Sequence, residues 1–351
     1  MVGYSMAKKR VYIVYTGGTI GMRRSPDGYQ PDPGSLAEQM AHMPELLDPG
    51  MPEYDIHEYD PLLDSANMTP DKWYTIARDI ADHYEQYDGF VVLHGTDTMA
   101  YTASALPFML QGLSKPVIVT GSQIPLCEVR NDGRGNLITA MMIAAEYAIP
   151  EVCLCFGSHL LRGCRAVKID ADGFEAFASP EYPPLGTIGI DIQIHWNRVL
   201  RRSLNRKRLQ LRPFANPVVA VLRLFPGITP ELVQNMLRPP LQGLVLEAYG
   251  VGNGPTKNAD FVAAIEEGVA RGVVIVDCSQ CLTGTVDLSD YASGVALARA
   301  GVISGYDMTT EAALAKMFYL FSQNISISEI KAGMETDMLG ELTNPRDLMK
   351  V

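Results

Sequence analysis

The sequence predicts an α/β protein: a larger N-terminal domain built on a doubly wound parallel sheet, and a smaller C-terminal α/β domain. Short apolar runs of β-prone residues alternate with helical patterns along most of the chain, which is typical of parallel strands covered by helices. A basic segment then separates two such series, and 351 residues suit about two domains. We predict an N-terminal catalytic domain over 1–197, a linker over 198–215 and a C-terminal domain over 216–351.

The elements of the first domain follow from their length and pattern. Runs of three to five apolar residues are too short for helices and predict buried strands; they cover residues 11–15, 90–93, 117–119 and 152–156. Helical periodicity covers 98–110 and 136–147, and Asn136 is placed to cap the second of these helices. Residues 22–28 have the composition of a loop, and residues 157–196, rich in Gly and Pro, predict irregular or hairpin structure.

The second domain repeats the alternation on a smaller scale. Its predicted strands are residues 218–222, 244–246 and 273–276. A helix should follow Thr229, because Pro230 suits the first helical position. Two further helices are predicted over 258–271 and 309–323.

Composition excludes several classes of protein. A formal net charge of −11 argues against nucleic acid as the main partner. The basic cluster over 198–212 has no interleaved aromatic residues for base stacking, and we interpret it as a solvated linker or exposed hairpin. No apolar run is long enough for a signal peptide or a membrane span. Six cysteines, including the Cys278–Cys281 pair, form neither a disulfide framework nor a zinc motif, so we expect free thiols in a reducing cytoplasm.

Two threonine-bearing turns are the strongest functional signal. Thr16-Gly17-Gly18-Thr19 follows the first strand, and residues 94–98, His-Gly-Thr-Asp-Thr, follow the strand 90–93. Open α/β sheets bind ligands at the carboxyl ends of their strands, and an activated hydroxyl there can be a covalent nucleophile. A phosphate-binding turn is an alternative, but neither G-x-G-x-x-G nor a P-loop is present. Either turn alone could be purely structural.

Together the turns closely resemble the bacterial asparaginase family, in particular its cytoplasmic type I branch. The resemblance runs from Val11 to about Leu342 and rests on residues 15–21 and 88–105, with further matches at 116–123 and 249–254. It implies a flavodoxin-like N-terminal domain with a smaller C-terminal α/β domain.

The resemblance also implies roles for individual residues. Thr19 matches the nucleophile and Tyr29 the lid tyrosine that contacts it. Thr96, Asp97 and Lys168 match a second triad, in which the lysine polarises the threonine. Asp64 and Ser65 fall where the family binds the substrate's α-carboxylate, and Asp97 should also hold its α-ammonium. His94 is better interpreted as a core histidine than as a base.

The implied activity is hydrolysis of L-asparagine to L-aspartate and ammonia through an acyl-enzyme, with weak glutaminase activity and no metal or organic cofactor. The family forms homodimers or homotetramers whose sites are completed by a neighbouring subunit, which directs attention to Asn253 and Glu311. Ala66 replaces a polar residue common in the family, so we expect weaker recognition of the substrate's ammonium group. Some members bind an effector asparagine near positions matching Val167, Glu247, Asn253 and Cys281, but Val167 and Glu247 are poor carboxylate ligands.

Two alternatives stay open from the sequence. The amidase subunit of a tRNA-dependent amidotransferase shares the core, although it normally carries an extra N-terminal domain. A non-catalytic binding protein could keep the fold, although intact Thr19, Thr96, Asp97 and Lys168 argue against that.

Overall fold

A computed structural model describes residues 8–201 and 208–343 of the protein. The chain forms two compact units that divide between Arg212 and Pro213. This division falls within the segment 198–215, for which we predict a linker. The limits of 1–197 and 216–351 for the two domains stay a prediction.

Eight strands of the first unit form one sheet. The strands of this unit are β1 Arg10–Tyr15, β2 Met22–Ser25, β3 Gly28–Pro31, β4 Glu53–Glu58, β5 Gly89–Leu93, β6 Leu110–Gln111, β7 Val117–Thr120, β8 Val152–Phe156, β9 His159–Arg162, β10 Val167–Lys168, β11 Phe177–Ala178, β12 Gly186–Ile188, β13 Ile192–Ile194 and β14 Gln210–Leu211. The sheet runs β13-β12-β9-β8-β7-β5-β1-β4. From β8 to β4 all pairs are parallel, and in chain order these five strands lie 2-1-3-4-5, the flavodoxin-like order.

Helices cover this parallel sheet because four of its strands, β1, β5, β7 and β8, are apolar on both faces. The α-helices of the unit are α1 Ser35–Ala41, α2 Pro70–His83, α3 Met99–Met109 and α4 Gly133–Glu146. Val11 and Ile13 of β1 join a buried cluster with residues of α1 and α4. Alternate strand residues face opposite sides, so Val14, equally buried, lies on the other face, where α2 packs against β1 and α3 against β8. The predicted α/β class is thus confirmed.

Two local predictions in this unit are wrong. Residues 22–28 belong to an antiparallel hairpin of β2 and β3, which pairs Arg24 with Tyr29. Asn136 does not cap α4: the helix begins at Gly133. The Asn136 Nδ2 atom donates to the Gly121 carbonyl at 2.9 Å and its Oδ1 accepts from Gly157 N at 3.1 Å. Its amide therefore ties together the ends of two neighbouring strands.

The segment that follows the first domain is only partly described. Arg202, Arg206 and Lys207 of the basic cluster lie outside the described residues. Arg198 is not simply solvated, because its side chain donates to the Pro184 carbonyl at 2.8 Å. Residues of β14 pair with β6.

The second unit contains a four-stranded parallel sheet in the order of its chain. Its strands are β15 Val219–Arg223, β16 Gly243–Ala248, β17 Val274–Ser279 and β18 Ile303–Ser304, and its helices are α5 Pro230–Met236, α6 Ala259–Ala270, α7 Ala292–Arg299, α8 Thr310–Phe321 and α9 Ile327–Met334. Thr229 caps α5 by accepting from Leu232 N, and Asn258 caps α6. None of the helices within residues 8–201 and 208–343 is long and apolar enough to cross a membrane. Within the described residues, none of the six cysteines forms a disulfide.

The core of the second unit contains an uncompensated carboxyl group. Asp277 lies on β17 and is fully buried, and neither of its oxygens has a hydrogen-bond partner among the described residues. Burial raises its pKa to about 8. A buried carboxylate is costly without a partner, so this group favours its neutral form in the folded chain.

We predict that the free energy of unfolding falls less with rising pH, up to about pH 8, in the Asp277→Asn variant than in the wild-type protein. An unfolded aspartate titrates at about 4, so the stability contributed by protonated Asp277 is fully present below that pH. It is lost as pH rises through the folded pKa of about 8. Thermal unfolding of both proteins across this range measures the effect, with the exposed Asp260→Asn as control. Identical pH slopes for wild type and Asp277→Asn would contradict the prediction.

Candidate active site

The two threonine turns lie side by side at the topological switch point of the first unit. β1 and β5 are neighbours, with β4 on the far side of β1 and β7 on the far side of β5. Ligands of open α/β sheets bind where the strand order reverses in this way. Thr19 follows β1 and Thr96 follows β5, so the sheet brings both hydroxyl-bearing turns to one edge.

The first turn is fixed by hydrogen bonds and by two glycines with positive φ. Thr16 donates through both its backbone N and its Oγ1 to the Leu93 carbonyl, each at 3.0 Å. Gly17 and Gly18 have φ values of 131° and 92°. A Cβ on Gly17 would lie 2.2 Å from the Leu63 carbonyl oxygen. Only glycine fits here, and the turn leaves Thr19 half-buried at the start of the 3₁₀ turn Thr19–Gly21.

The second turn packs directly against the first and against a third segment. A Cβ on Gly18 would lie 2.5 Å from Gly95 Cα, and a Cβ on Gly95 would lie 2.5 Å from Ser65 Oγ. Thr98 Oγ1 donates to the Ser65 carbonyl at 2.7 Å. Ser65 is buried, and its hydroxyl therefore borders the contact between the two turns.

Lys168 connects the second turn to a separate strand pair. Its Nζ lies 2.9 Å from Thr96 Oγ1 and 3.0 Å from Asp97 Oδ1. β10 carries Lys168 and pairs with β11, placing Lys168 opposite Phe177. The Lys168 side chain is 22% exposed and that of Asp97 is 67% exposed. The ammonium is thus held near a largely buried threonine while Asp97 stays open to a ligand.

Gln123, three residues after the end of β7, accepts the hydrogen bond that Thr96 donates. Thr96 Oγ1 lies 3.2 Å from Gln123 Oε1. The Gln123 Nε2 atom donates to the carbonyls of Ala171 and Gly173, at 3.0 and 3.2 Å. Thr96 therefore receives a hydrogen from Lys168 and donates its own to Gln123.

Tyr29 lies on the exposed hairpin that follows the first turn. β3, which carries it, contacts the turn Thr19–Gly21. The Tyr29 hydroxyl donates to Glu128 Oε1 at 2.8 Å, and Tyr29 is 41% exposed. Asp64 is engaged locally: its carboxylate accepts from Ala66 N at 3.1 Å and from Asn67 Nδ2 at 3.2 Å.

His94 is a core histidine with both ring nitrogens occupied. Nδ1 lies 2.7 Å from the Gly95 carbonyl and Nε2 lies 2.8 Å from Thr102 Oγ1, which also accepts from Trp73 Nε1. Because a carbonyl only accepts, Nδ1 carries a proton. Burial lowers its pKa to about 4. The prediction that His94 is structural agrees with this arrangement.

The structure brings Thr96, Asp97 and Lys168 into direct contact and places Ser65 beside their turn. Our sequence reasoning missed two residues, Gln123 and Glu128. Gln123 closes a matched segment of the family resemblance and could have been found there. No local signal marks Glu128, since its partner lies 99 residues away in the chain.

Comparisons with known proteins extend over both units. A family model described as "Asparaginase, N-terminal" matches residues 10–200, and one described as "Glutaminase/Asparaginase C-terminal domain" matches residues 218–334. L-asparaginase 1 of Escherichia coli K12 is 51% identical, over 96% of this chain and 99% of its own length. The human 60 kDa lysophospholipase is 46% identical over 96% of this chain, which spans 62% of that protein.

A solved structure agrees with the same relationship. The crystal structure of L-asparaginase I from Vibrio cholerae has a TM-score of 0.88 and 50% identity, and the match covers 96% of this chain and all of that one. With matched domain models and half of the residues identical along nearly its whole length, this chain belongs to the bacterial L-asparaginase family.

Proposed function

We propose that the protein hydrolyses L-asparagine to L-aspartate and ammonia through a threonine-bound acyl-enzyme. One observation carries the proposal: the Lys168 ammonium contacts both Thr96 Oγ1 and Asp97 Oδ1, at 2.9 and 3.0 Å, beside the turn of Thr19. Two relatives of about 50% identity that span almost the whole chain are named L-asparaginases.

Thr19 is the proposed nucleophile. It is half-buried at the switch point, and Gly17 and Gly18 before it have no side chains of their own to cover the backbone N–H groups of the turn. Such donors can stabilise the oxyanion of a tetrahedral intermediate, a contribution of roughly 3–4 kcal/mol per donor in other enzymes. Attack on the side-chain amide forms an ester with Thr19 and releases ammonia, and water then releases aspartate.

Thr96 and Lys168 are proposed to activate the second step, which water must carry out. A nearby cation lowers the free-energy cost of moving the Thr96 proton. The Thr96 hydroxyl donates a hydrogen bond to Gln123 Oε1, with 3.2 Å between the two oxygens, and this bond fixes the direction in which the hydroxyl hydrogen points. No metal or organic cofactor takes part in the proposed reaction.

Substrate recognition is proposed to use opposite charges at fixed points. Asp97 is open enough to accept the α-ammonium group of asparagine, and the Ser65 hydroxyl borders the site where an α-carboxylate can accept its hydrogen bond. Asp64 supports this role by holding the turn of Ser65 through its bond to Ala66 N. Fixing both ends of a zwitterion orients its amide, which lowers the activation barrier.

Tyr29, on the hairpin against the first turn, is proposed to close over substrate and contact Thr19. We also propose a cytoplasmic homo-oligomer, with a neighbouring copy completing the site. The amidotransferase alternative is less favoured, because the two relatives near 50% identity are named L-asparaginases. If the chain were a non-catalytic binding protein, the purified protein would release no ammonia from asparagine. Measuring ammonia release therefore tests the proposal.

Loss of either threonine hydroxyl should abolish most turnover. Thr19→Ala removes the attacking oxygen, and Thr96→Val removes the second hydroxyl while keeping its shape. We expect each to lower kcat by orders of magnitude with unchanged circular dichroism. Retention of more than about a tenth of the wild-type rate by Thr19→Ala, a barrier change below about 1.4 kcal/mol, would show that Thr19 is not the nucleophile.

Removal of the ammonium should lower kcat more than substrate affinity. Lys168→Met keeps the aliphatic side chain but deprives Thr96 of its cationic neighbour. We expect a loss of about 100-fold or more in kcat, the scale seen when a transition-state donor is removed. The exposed Lys257→Met serves as control. Equal kinetics for the two variants would rule out a role for the Lys168 charge.

Asparagine should be preferred to glutamine. Asp97, Ser65 and Thr19 are fixed points, so the additional methylene of glutamine misplaces its amide. One methylene is worth about 1–3 kcal/mol of discrimination, or roughly 10–200-fold. We predict a ratio of kcat/KM in this range, with weak glutaminase activity, when both substrates are measured on one preparation. Equal values would argue against a pocket fitted to asparagine.

A further inference from the structure

We propose that Glu128 is a positioning residue that holds the Tyr29 hydroxyl as a hydrogen-bond acceptor for Thr19. The inference rests on the proposed function, in which Tyr29 contacts the nucleophile. It adds a carboxylate from the same chain to the residues that the reaction requires.

The contact between Tyr29 and Glu128 is short and supported on both sides. Tyr29 Oη lies 2.8 Å from Glu128 Oε1. Arg24, opposite Tyr29 in the hairpin, places its guanidinium 5.6 Å from the Tyr29 ring and its Nε 3.7 Å from the same Glu128 oxygen. One oxygen of the Glu128 carboxylate thus accepts the phenol hydrogen and also faces the positive charge of Arg24.

The loop that carries Glu128 is itself tied to both threonine turns. Leu126 N donates to the Ile20 carbonyl at 3.0 Å, next to Thr19. At its start, Gln123 accepts from Thr96. Asp132, at its end, accepts from Gln123 N at 2.9 Å. Glu128 therefore projects from a segment whose position is set by the two turns, whereas the hairpin itself is mostly exposed.

The direction of the hydrogen bond determines what Tyr29 can do. A phenol has one hydrogen, and here that hydrogen points at a carboxylate, which can only accept. Any further partner of the phenol oxygen must therefore donate a hydrogen bond to its lone pairs, as Arg24 Nη2 does at 3.4 Å. A neighbouring threonine hydroxyl can only donate to such an oxygen. That orientation leaves a lone pair of the Thr19 oxygen free for attack on the amide.

A second hairpin carboxylate provides the matched control. Arg23 donates to Glu38 Oε2 at 2.7 Å and anchors the same strand, β2, to α1. Among the described residues, Glu38 pairs with Arg23 and forms no hydrogen bond with Tyr29. Glu38→Gln therefore weakens the hairpin's attachment without changing the phenol's partner, whereas Glu128→Gln offers the phenol both a donor and a weaker acceptor.

The test is a double-mutant cycle on kcat and KM for asparagine, using Glu128→Gln, Tyr29→Phe, the double variant and Glu38→Gln. We expect Glu128→Gln to lower kcat by about tenfold or more, with KM changed much less. In the Tyr29→Phe background the same substitution should have almost no further effect, because Glu128 acts through the phenol. Glu38→Gln should keep the wild-type kcat.

The rate of trypsin cleavage after Arg23 and Arg24 separates positioning from simple anchoring. Unchanged cleavage of Glu128→Gln together with its loss of kcat supports the proposal. Faster cleavage, with a loss of kcat that persists in the Tyr29→Phe background, overturns it in favour of a structural role. Wild-type kcat in Glu128→Gln also overturns it while leaving the proposed function intact. Absence of ammonia release by the wild-type protein overturns the proposed function, and this inference with it.

Discussion

The candidate site depends on one steric constraint: two turns from neighbouring strands approach to a distance that no side chain allows. A Cβ on Gly18 would lie 2.5 Å from Gly95 Cα, and one on Gly95 would collide with Ser65. The parallel register of β1 and β5 delivers both turns to the same edge, and the glycines let them meet there. Thr19 and Thr96 are then held close by backbone geometry, which positions them more firmly than flexible side-chain contacts could.

One positive and one negative side chain lie beside this contact, an arrangement that suits a small zwitterionic ligand. Lys168 supplies positive charge from a strand pair outside the main sheet, and Asp97 faces solvent beside it. The buried His94 hydrogen-bonds to the Gly95 carbonyl of the second turn. Burial lowers its pKa to about 4, so it adds no competing charge at physiological pH. The Lys168 ammonium, 2.9 Å from Thr96 Oγ1, is close enough to act directly on this hydroxyl.

The sheet could be predicted from the sequence because strands buried on both faces are continuous apolar runs, as residues 90–93 illustrate. The same reasoning found the caps Thr229 and Asn258. It failed at Asn136, where a residue typical of helix caps instead links Gly121 and Gly157 across two strand ends. Local propensity does not contain such tertiary contacts. The hairpin of β2 and β3 was missed for a related reason, since its short strands are largely exposed and lack alternation.

Most residues of the candidate site were predictable from the family resemblance, and Gln123 lies in one of its matched segments, whereas Glu128 is found only from the structure. Their partners lie 27 and 99 residues away in the chain, and neither residue type has a distinctive spacing. What the sequence specifies is the placement of turns at strand ends. Which side chain then fills the space between turns is decided by packing.

The small loop after β10 has a wider consequence. Asp170 Oδ1 accepts from Asp172 N and Gly173 N, and these backbone bonds lower the Asp170 pKa below its usual range. The carbonyls of Ala171 and Gly173 in this turn accept hydrogen bonds from Gln123 Nε2. Lys168 lies two residues before Asp170, at the start of the same loop. The hydrogen bond that Thr96 accepts from Lys168 and the one that it donates to Gln123 thus both depend on this Asx turn. Asp170 thus supports the orientation of the Thr96 hydroxyl indirectly, through the loop that holds Gln123.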